Sequence, residues 1–483
     1  MALAPLIAAV LRPTVRVTIR RAFFLGLLTG AVYFALTLYW LVDTMTSFGG
    51  LSVPVAMIAA GLLVAYLSLF PAAFAVILAR LRISMGVPAA ALFVAPAWIA
   101  TELGRQYIWD GFPWALLGYS QITVLPIAQL ASVTGVYGLS GLLALTSAAV
   151  AFLVIDRRPR RWIALASVVA LIAGSAMWGR ARIAAGTLTT HGEPIRTAVV
   201  QGNILQDEKW DPVLRDAIIG RYLSLTRDAI KSGARLIIWP ESSLPVYFEE
   251  DPLRAAQIRR LAVEANVTLL IGSDQIERVR PFAPPEADDN RYFNAAFLVK
   301  PDGTVGGVYR KMHLVPFGEY VPMQRLLFFV GPIVEAVSSF TPGADPVLLP
   351  VGNHRISTAI CYEVIYGSQM RRFVRDGSEL LTTITNDAWY GMSSAAYQHW
   401  DQAAMRAIEN GRYLARAANT GVSGFVDPYG RVLERSSLFE TKMLVGDLRF
   451  IHSLTIYTRI GDLVAWLSLA LIAAALLASW RIR

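Results

Sequence analysis

The sequence predicts a two-part fold: a multi-span α-helical membrane domain, and an α/β layered domain inserted before the last span. Three observations predict it. The chain of 483 residues is 55% hydrophobic and only 16% charged, with a mean hydropathy of +0.47, well above a soluble protein. The apolar residues are concentrated before residue 180 and after residue 460. Between 190 and 455 the composition is that of an ordinary globular domain with alternating strand and helix patterns. The expected boundaries are 1–179 for the helical bundle, 180–458 for the inserted domain and 459–483 for the last helix.

A membrane helix needs about 18–25 apolar residues. Six stretches qualify: 23–42, 53–79, 87–104, 134–155, 162–178 and 461–480. The first eleven residues, MALAPLIAAVL, are too short to cross alone and lack the cleavage site of a signal peptide. Orientation follows from the arginines. Arg12, Arg16, Arg20 and Arg21 precede the first span, Arg80 and Arg82 follow the second, and Arg157, Arg158, Arg160 and Arg161 follow the fourth. Loop 43–52 has no Lys or Arg. Both termini are therefore expected in the cytoplasm and the inserted domain outside. The net charge of +9 is largely this topology signal, so no nucleic-acid partner is expected. The loop 98–121, rich in aromatics, reads either as an interfacial belt or as a head-group pocket shaped by Glu102 and Arg105.

Within the inserted domain, TAVVQGNI (197–204) is a β-branched strand and 213–231 has helical spacing. RLIIWPE (235–241) is a strand ending in a carboxylate. Helix 252–265 precedes the strand VTLLIGSDQI (267–276). Residues 293–314 form a hairpin turned at Pro301-Asp302-Gly303, with Lys311 late in its second strand. The segment RPFAPPEADDN (280–290) reads as a flexible loop. STAICYEV, helix 367–376, strand 379–387, helix 397–412 and a hairpin turned at Asp427-Pro428-Tyr429-Gly430 complete the domain. Near-continuous apolar strands argue for a sheet buried on both faces.

Three polar residues sit at strand ends, where sites assemble in such sheets: Glu241, Lys311 and Cys361. Cys361 is the only cysteine of the chain, so it is either a small core residue or a reagent. Together the three form an acyl-transfer set. A carboxylate can accept the thiol proton, and a buried lysine can hold the oxyanion of a tetrahedral intermediate. Each also has a plainer reading: Glu241 as a turn cap, Lys311 as a solvated strand residue, Cys361 as core. His313, near Lys311, is either an alternative base or a structural side chain. The five histidines show no HExxH spacing and no cysteine partner, so no metal site is expected. No Gly-rich phosphate loop or GxSxG elbow is present, and no cofactor is expected.

WPESSLP (239–245), YRKMHLVPFGEYVP (309–322), AICYEVIYG (359–367) and ITNDAWYG (384–391) resemble the apolipoprotein N-acyltransferase family of bacteria, whose outer domain is of the nitrilase superfamily. So do VQGNI with KWDP (209–212), the upstream 101–121 and MRAIENGRYLARAANTGVSG (405–424). The resemblance spans nearly the whole chain. It implies a four-layer αββα domain on the periplasmic side of the cytoplasmic membrane. It also implies transfer of an sn-1 acyl chain from a phospholipid to the α-amino group of an S-diacylglyceryl cysteine on an apolipoprotein, through a thioester, by a monomer. By that resemblance Glu241 is the general base, Lys311 the essential lysine and Cys361 the nucleophile. Glu319 matches a second glutamate near the lysine, and Tyr362 and Glu363 match needed positions flanking the nucleophile. Trp210 matches a tryptophan at the lipid entrance, and Asn386 lines the pocket. The family has eight spans, so the first and half of the second are expected to be missing here. An amidase-type hydrolase with the same three residues is the alternative, and a non-catalytic membrane scaffold a further one.

Overall fold

A computed structural model of the chain describes residues 3–14, 16–109, 111–278, 290–316, 318–320 and 340–481. The chain divides into two units, one of residues 1–43, 52–186 and 455–483, the other of 44–51 and 187–454. The segment 280–290 expected to be a flexible loop lies outside the described residues, except Asn290.

The first unit is helical. Among the described residues, five helices are long and apolar enough to cross a membrane: Ile19–Thr37, Val53–Met85, Ala131–Ile155, Arg160–Thr190 and Leu463–Trp480. The expected span at 87–104 is instead two helices, Val87–Leu92 and Val94–Tyr107. Pro96 explains the break: it lacks the N–H that would bond the Leu92 carbonyl, and its ring would clash with that carbonyl. The 14-residue second piece is about 21 Å long, short of the hydrocarbon thickness of about 30 Å. Gly26 and Gly30, one turn apart, let the first long helix approach the second. A Cβ at Gly26 would lie 2.4 Å from the Pro71 carbonyl oxygen, and one at Gly30 2.7 Å from Ser68 Cα, the close contact small residues permit in membrane helix pairs. Glu102 is buried and accepts from Trp98 Nε1 at 3.0 Å and the Leu117 N–H at 2.8 Å, while the Arg105 guanidinium lies 5.1 Å from the Phe34 ring.

The second unit carries two six-stranded sheets. The strands are β1 (Pro194–Gln201), β2 (Leu236–Ile238), β3 (Thr268–Arg278), β4 (Asn290–Val299), β5 (Val305–Arg310) and β6 (Leu349–Val351), then β7 (His354–Ile360), β8 (Leu380–Thr385), β9 (Leu414–Ala418), β10 (Gly424–Val426), β11 (Val432–Arg435) and β12 (Lys442–Arg449). The sheet orders are β12-β1-β2-β3-β4-β5 and β11-β10-β9-β8-β7-β6. In each, three adjacent strands run parallel (β1, β2, β3 and β7, β8, β9) and the flanking pairs are antiparallel. Helices Arg215–Lys231 and Pro252–Ala265 cover the first sheet, burying Ile218, Tyr222, Ile258 and Leu261 against Ala198, Ile237 and Leu269. Helices Gly367–Arg375 and Ala395–Asn410 pack on β7 and β9. The sheets face one another, β1 against β9 and β4 against β7. This is the expected αββα sandwich. β6, β9 and β12 complete it beyond the strands read from sequence. The β4–β5 turn closes as expected: Gly303, at φ +79, donates its N–H to the Lys300 carbonyl at 2.9 Å.

Candidate active site

Strand ends of both sheets deliver the site. Glu241 follows β2 after Trp239 and Pro240, Lys311 follows β5, Cys361 follows β7 and Asn386 follows β8. The loop carrying Glu241 lies against β3 at Gly272. A Cβ there would sit 2.2 Å from the Pro240 carbonyl oxygen and 2.8 Å from Glu241 Cα, so only glycine lets the loop reach its place.

Glu241, Lys311 and Glu319 are in direct contact. Lys311 is buried, and its Nζ donates to Glu319 Oε1 at 2.8 Å and to Glu241 Oε1 at 3.4 Å. Asn294 of β4 donates Nδ2 to the same two oxygens, at 2.7 Å to Glu241 and 3.1 Å to Glu319. Glu241 Oε2 accepts the Asn386 N–H at 2.7 Å, and Glu319 Oε2 accepts the Val315 N–H at 2.7 Å. Burial by itself would raise the Glu241 pKa. The Lys311 charge, the Asn294 amide, Lys209 and the Asn386 N–H together hold it below the ordinary carboxylate value instead. Burial likewise opposes the charged form of Lys311, yet Glu319 and Glu241 keep its pKa above the usual lysine value. The group is a fixed ammonium.

Cys361 opens a 3₁₀ turn, Cys361–Ile365, at the end of β7. Its φ of +53 is in the left-handed region, an uncommon place for a side chain with a Cβ and one that concentrates at functional turns. Burial, with the Glu241 charge adding to it and Lys311 opposing, pushes the thiol pKa above its ordinary value. At neutral pH the resting group is a thiol. Three buried groups behind it hold the elbow. His399 Nε2 lies 3.1 Å from the Cys361 carbonyl oxygen, His399 Nδ1 lies 3.0 Å from both Asp387 Oδ1 and Arg416, and Arg416 bonds Asp387 Oδ2 at 2.8 Å. Burial, then the Arg416 charge, lower the His399 pKa, so the ring is neutral. With Nε2–H donating to the carbonyl, Nδ1 accepts from Arg416.

Glu363 does not face this cluster. Fully buried, it accepts from Tyr309 Oη, the N–H groups of Met312, His313 and Ile360, and Gln369 Nε2. It thereby ties the end of β5, which carries Lys311, to the turn carrying Cys361. Tyr362 is buried with its ring edge-on to Tyr366, centroids 5.4 Å apart. Asn386 also donates Nδ2 to Gln206 Oε1 at 2.7 Å and accepts from Asn419 at 3.0 Å. Trp210 is 46% exposed and stays outside the buried cluster; the Lys209 ammonium lies 5.9 Å from its ring. His313 stacks on Tyr366 at 4.4 Å and contacts Gln369 Oε1 at 2.6 Å.

Sequence reasoning missed Asn294, the Asp387–His399–Arg416 group and a second buried lysine. Lys209 donates to the Glu241 carbonyl oxygen at 3.4 Å, and burial lowers its pKa against the pull of Glu241, Asp274 and Cys361. Asp274, bonded by Ser242 Oγ at 2.8 Å, is pushed up to about 6 by burial.

Residues 1–149 match the apolipoprotein N-acyltransferase N-terminal domain and residues 196–451 the carbon-nitrogen hydrolase family. An apolipoprotein N-acyltransferase of Geobacter metallireducens is 39% identical over 93% of this chain and 85% of its own. That of Methylococcus capsulatus is 36% identical over 92% and 84%. A solved variant of the Nesterenkonia AN1 amidase from the nitrilase superfamily is 23% identical over 54% of this chain and 92% of its own, with a TM-score of 0.39. With relatives this similar along nearly the full length, the chain belongs to the apolipoprotein N-acyltransferase family and is an acyltransferase.

Proposed function

We propose that the protein transfers a fatty acyl chain from the sn-1 position of a phospholipid to the α-amino group of an S-diacylglyceryl cysteine at an apolipoprotein's amino terminus. The reaction passes through a thioester on Cys361. One observation carries the chemical part: a buried carboxylate and a buried, permanently charged lysine share one bond network beside the chain's single thiol.

Glu241 takes the proton of Cys361 Sγ as the sulfur attacks the ester carbonyl carbon. Lys311 and the Tyr362 N–H stabilise the oxyanion. The oxyanion collapses, the ester C–O bond breaks, and Glu241 returns the proton to the departing lysophospholipid alkoxide. The neutral amine then attacks the thioester carbonyl and gives its proton to Glu241. The C–S bond breaks, leaving an amide and a thiolate that Glu241 reprotonates. Because the resting thiol is protonated, deprotonation is coupled to attack rather than preceding it. Glu319 and Asn294 hold Lys311 and Glu241 in register, and Trp210, half exposed, meets the acyl chain. The arginine distribution supports the α/β unit on the periplasmic side of the cytoplasmic membrane.

Intact mass spectrometry after incubation with phosphatidylethanolamine tests this, alongside Cys361→Ala. An added acyl mass that hydroxylamine removes, present only with the cysteine, is expected. A diacylglyceryl peptide should then receive it on its amino group. Release as free fatty acid despite the peptide favours a hydrolase, and no adduct on folded protein sinks the mechanism.

A further inference from the structure

The histidines are scattered in sequence, but the fold brings two of them to one carboxylate. We propose that His354, His452 and Glu379 form a divalent transition-metal site of the kind that takes zinc, at the end of the sheets opposite Cys361. His354 opens β7 and Cys361 follows its other end; seven residues of strand separate them by about 23 Å. The site is therefore independent of the acyl-transfer chemistry.

The ligand atoms of the three residues lie within 4.8 Å of one another. His452 Nε2 is 3.4 Å from Glu379 Oε2, about the separation of two ligands on a tetrahedral zinc. His354 Nδ1 contacts the same oxygen. Its other nitrogen, Nε2, is 2.9 Å from Glu193 Oε2. With Nε2–H donating to Glu193, a bound ion takes the place of the proton that Nδ1 shares with Glu379 Oε2, the carboxylate–histidine–metal arrangement that fixes a ligating tautomer. Phe450 stacks on the His354 ring at 4.0 Å and 9°, and the Arg355 N–H holds the second Glu379 oxygen at 3.3 Å. Arg412, whose charge acts on Glu379, spends its N–H groups on the Ser378 and Ser453 carbonyls. With the ion in place of that proton, the two carboxylates supply the two negative charges that balance a divalent cation.

The four residues come from both sheets. Glu193 and His452 adjoin β1 and β12, and His354 and Glu379 adjoin β7 and β8. A bound ion thus staples the two sheets where the chain enters and leaves the unit.

Titrating cobalt(II), then zinc, into chelator-treated, tag-free Cys361→Ala full-length chain in detergent tests this, with the thiol removed as a ligand. One cobalt per chain with the visible absorption of a four-coordinate site is expected, displaced by zinc, together with a higher melting temperature. His452→Ala, at a largely exposed residue, should lose that absorption without losing the fold. Glu193→Gln should weaken binding about 10–100-fold. No cobalt uptake at micromolar concentration, or equal uptake by His452→Ala, overturns the proposal.

Discussion

Replacing Glu363 with glutamine should destabilise the α/β unit and slow acylation of Cys361, although the residue does not face the Glu241–Lys311 cluster. Glu363 Oε1 takes four donors: Met312 N–H at 2.7 Å, Tyr309 Oη at 2.8 Å, Gln369 Nε2 at 3.0 Å and His313 N–H at 3.1 Å. Oε2 takes the Ile360 N–H at 2.8 Å and Tyr309 Oη at 2.9 Å. A glutamine best keeps its oxygen at the Oε1 position, which turns its NH₂ toward the Ile360 N–H. Two donors then face each other in a site with no solvent exposure. One unsatisfied buried N–H costs about 1–3 kcal/mol. At about 2–4 °C per kcal/mol for a domain of this size, the melting temperature should fall by about 2–12 °C. Ile360 immediately precedes Cys361, so its release also loosens the elbow and should lower the acylation rate more than substrate affinity. Scanning fluorimetry in detergent gives the first quantity, and time-resolved intact mass spectrometry with phosphatidylethanolamine the second. A variant that melts and acylates like the wild type would refute the clamp.

The other predictions concern charge. Asp274 has a folded pKa of about 6 against about 3.9 unfolded, so the folded state holds the proton more tightly. That stability is full below pH 4 and is lost as the pH rises through 6. Asp274→Asn should lack this loss, read as the wild-type minus variant melting temperature between pH 4 and 7. Removing the fully buried Arg416 with methionine strands Asp387 without its cation and should cost about 3–5 kcal/mol, measured by thermal or denaturant unfolding. Lys311→Met leaves Glu241 and Glu319 without the cation they share, so they will retain a proton between them and quench the base. Acyl adduct formation should drop at least about 100-fold.

The three strand-end residues were legible because each closes an apolar, β-branched run with a group that run has no use for: LIIWP before Glu241, VYR before Lys311, STAI before Cys361. What surrounds them was not. Asn294 sits inside β4, where a single polar residue in a hairpin reads as solvent-facing; only the pairing with β3 and β5 turns it inward. Lys209 lies in the polar run QDEKWDP, which reads as a surface turn, yet it is buried and its neighbour Trp210 is the exposed one. LARAA has neither the branching nor the alternation of a strand, and it became β9 because β8 and β10 lie on either side of it. In the helical unit the length of apolar sequence at 87–104 outweighed Pro96 in the reading, whereas hydrogen-bond geometry decides against a single helix there.

In the proposed mechanism, the placement of Glu319 would let one lysine serve the base without disabling it. A lysine paired only with Glu241 would hold that carboxylate in a tight ion pair and oppose its protonation. Lys311 instead sits at 2.8 Å from Glu319 and 3.4 Å from Glu241, so the shorter contact goes to the carboxylate that has no proton to accept. When Glu241 takes the thiol proton, Lys311 keeps a full partner in Glu319 and the developing oxyanion becomes its second. The count of charges in the pocket is then unchanged: one negative charge leaves Glu241 and one appears on the oxyanion. Moving a charge by a few ångströms between fixed donors costs far less in a buried site than creating one. Glu319→Gln should therefore leave the fold intact but pull Lys311 onto Glu241, which lowers the acylation rate and shifts its acid limb to lower pH. An unchanged pH profile in that variant would show that Glu319 only packs against the lysine.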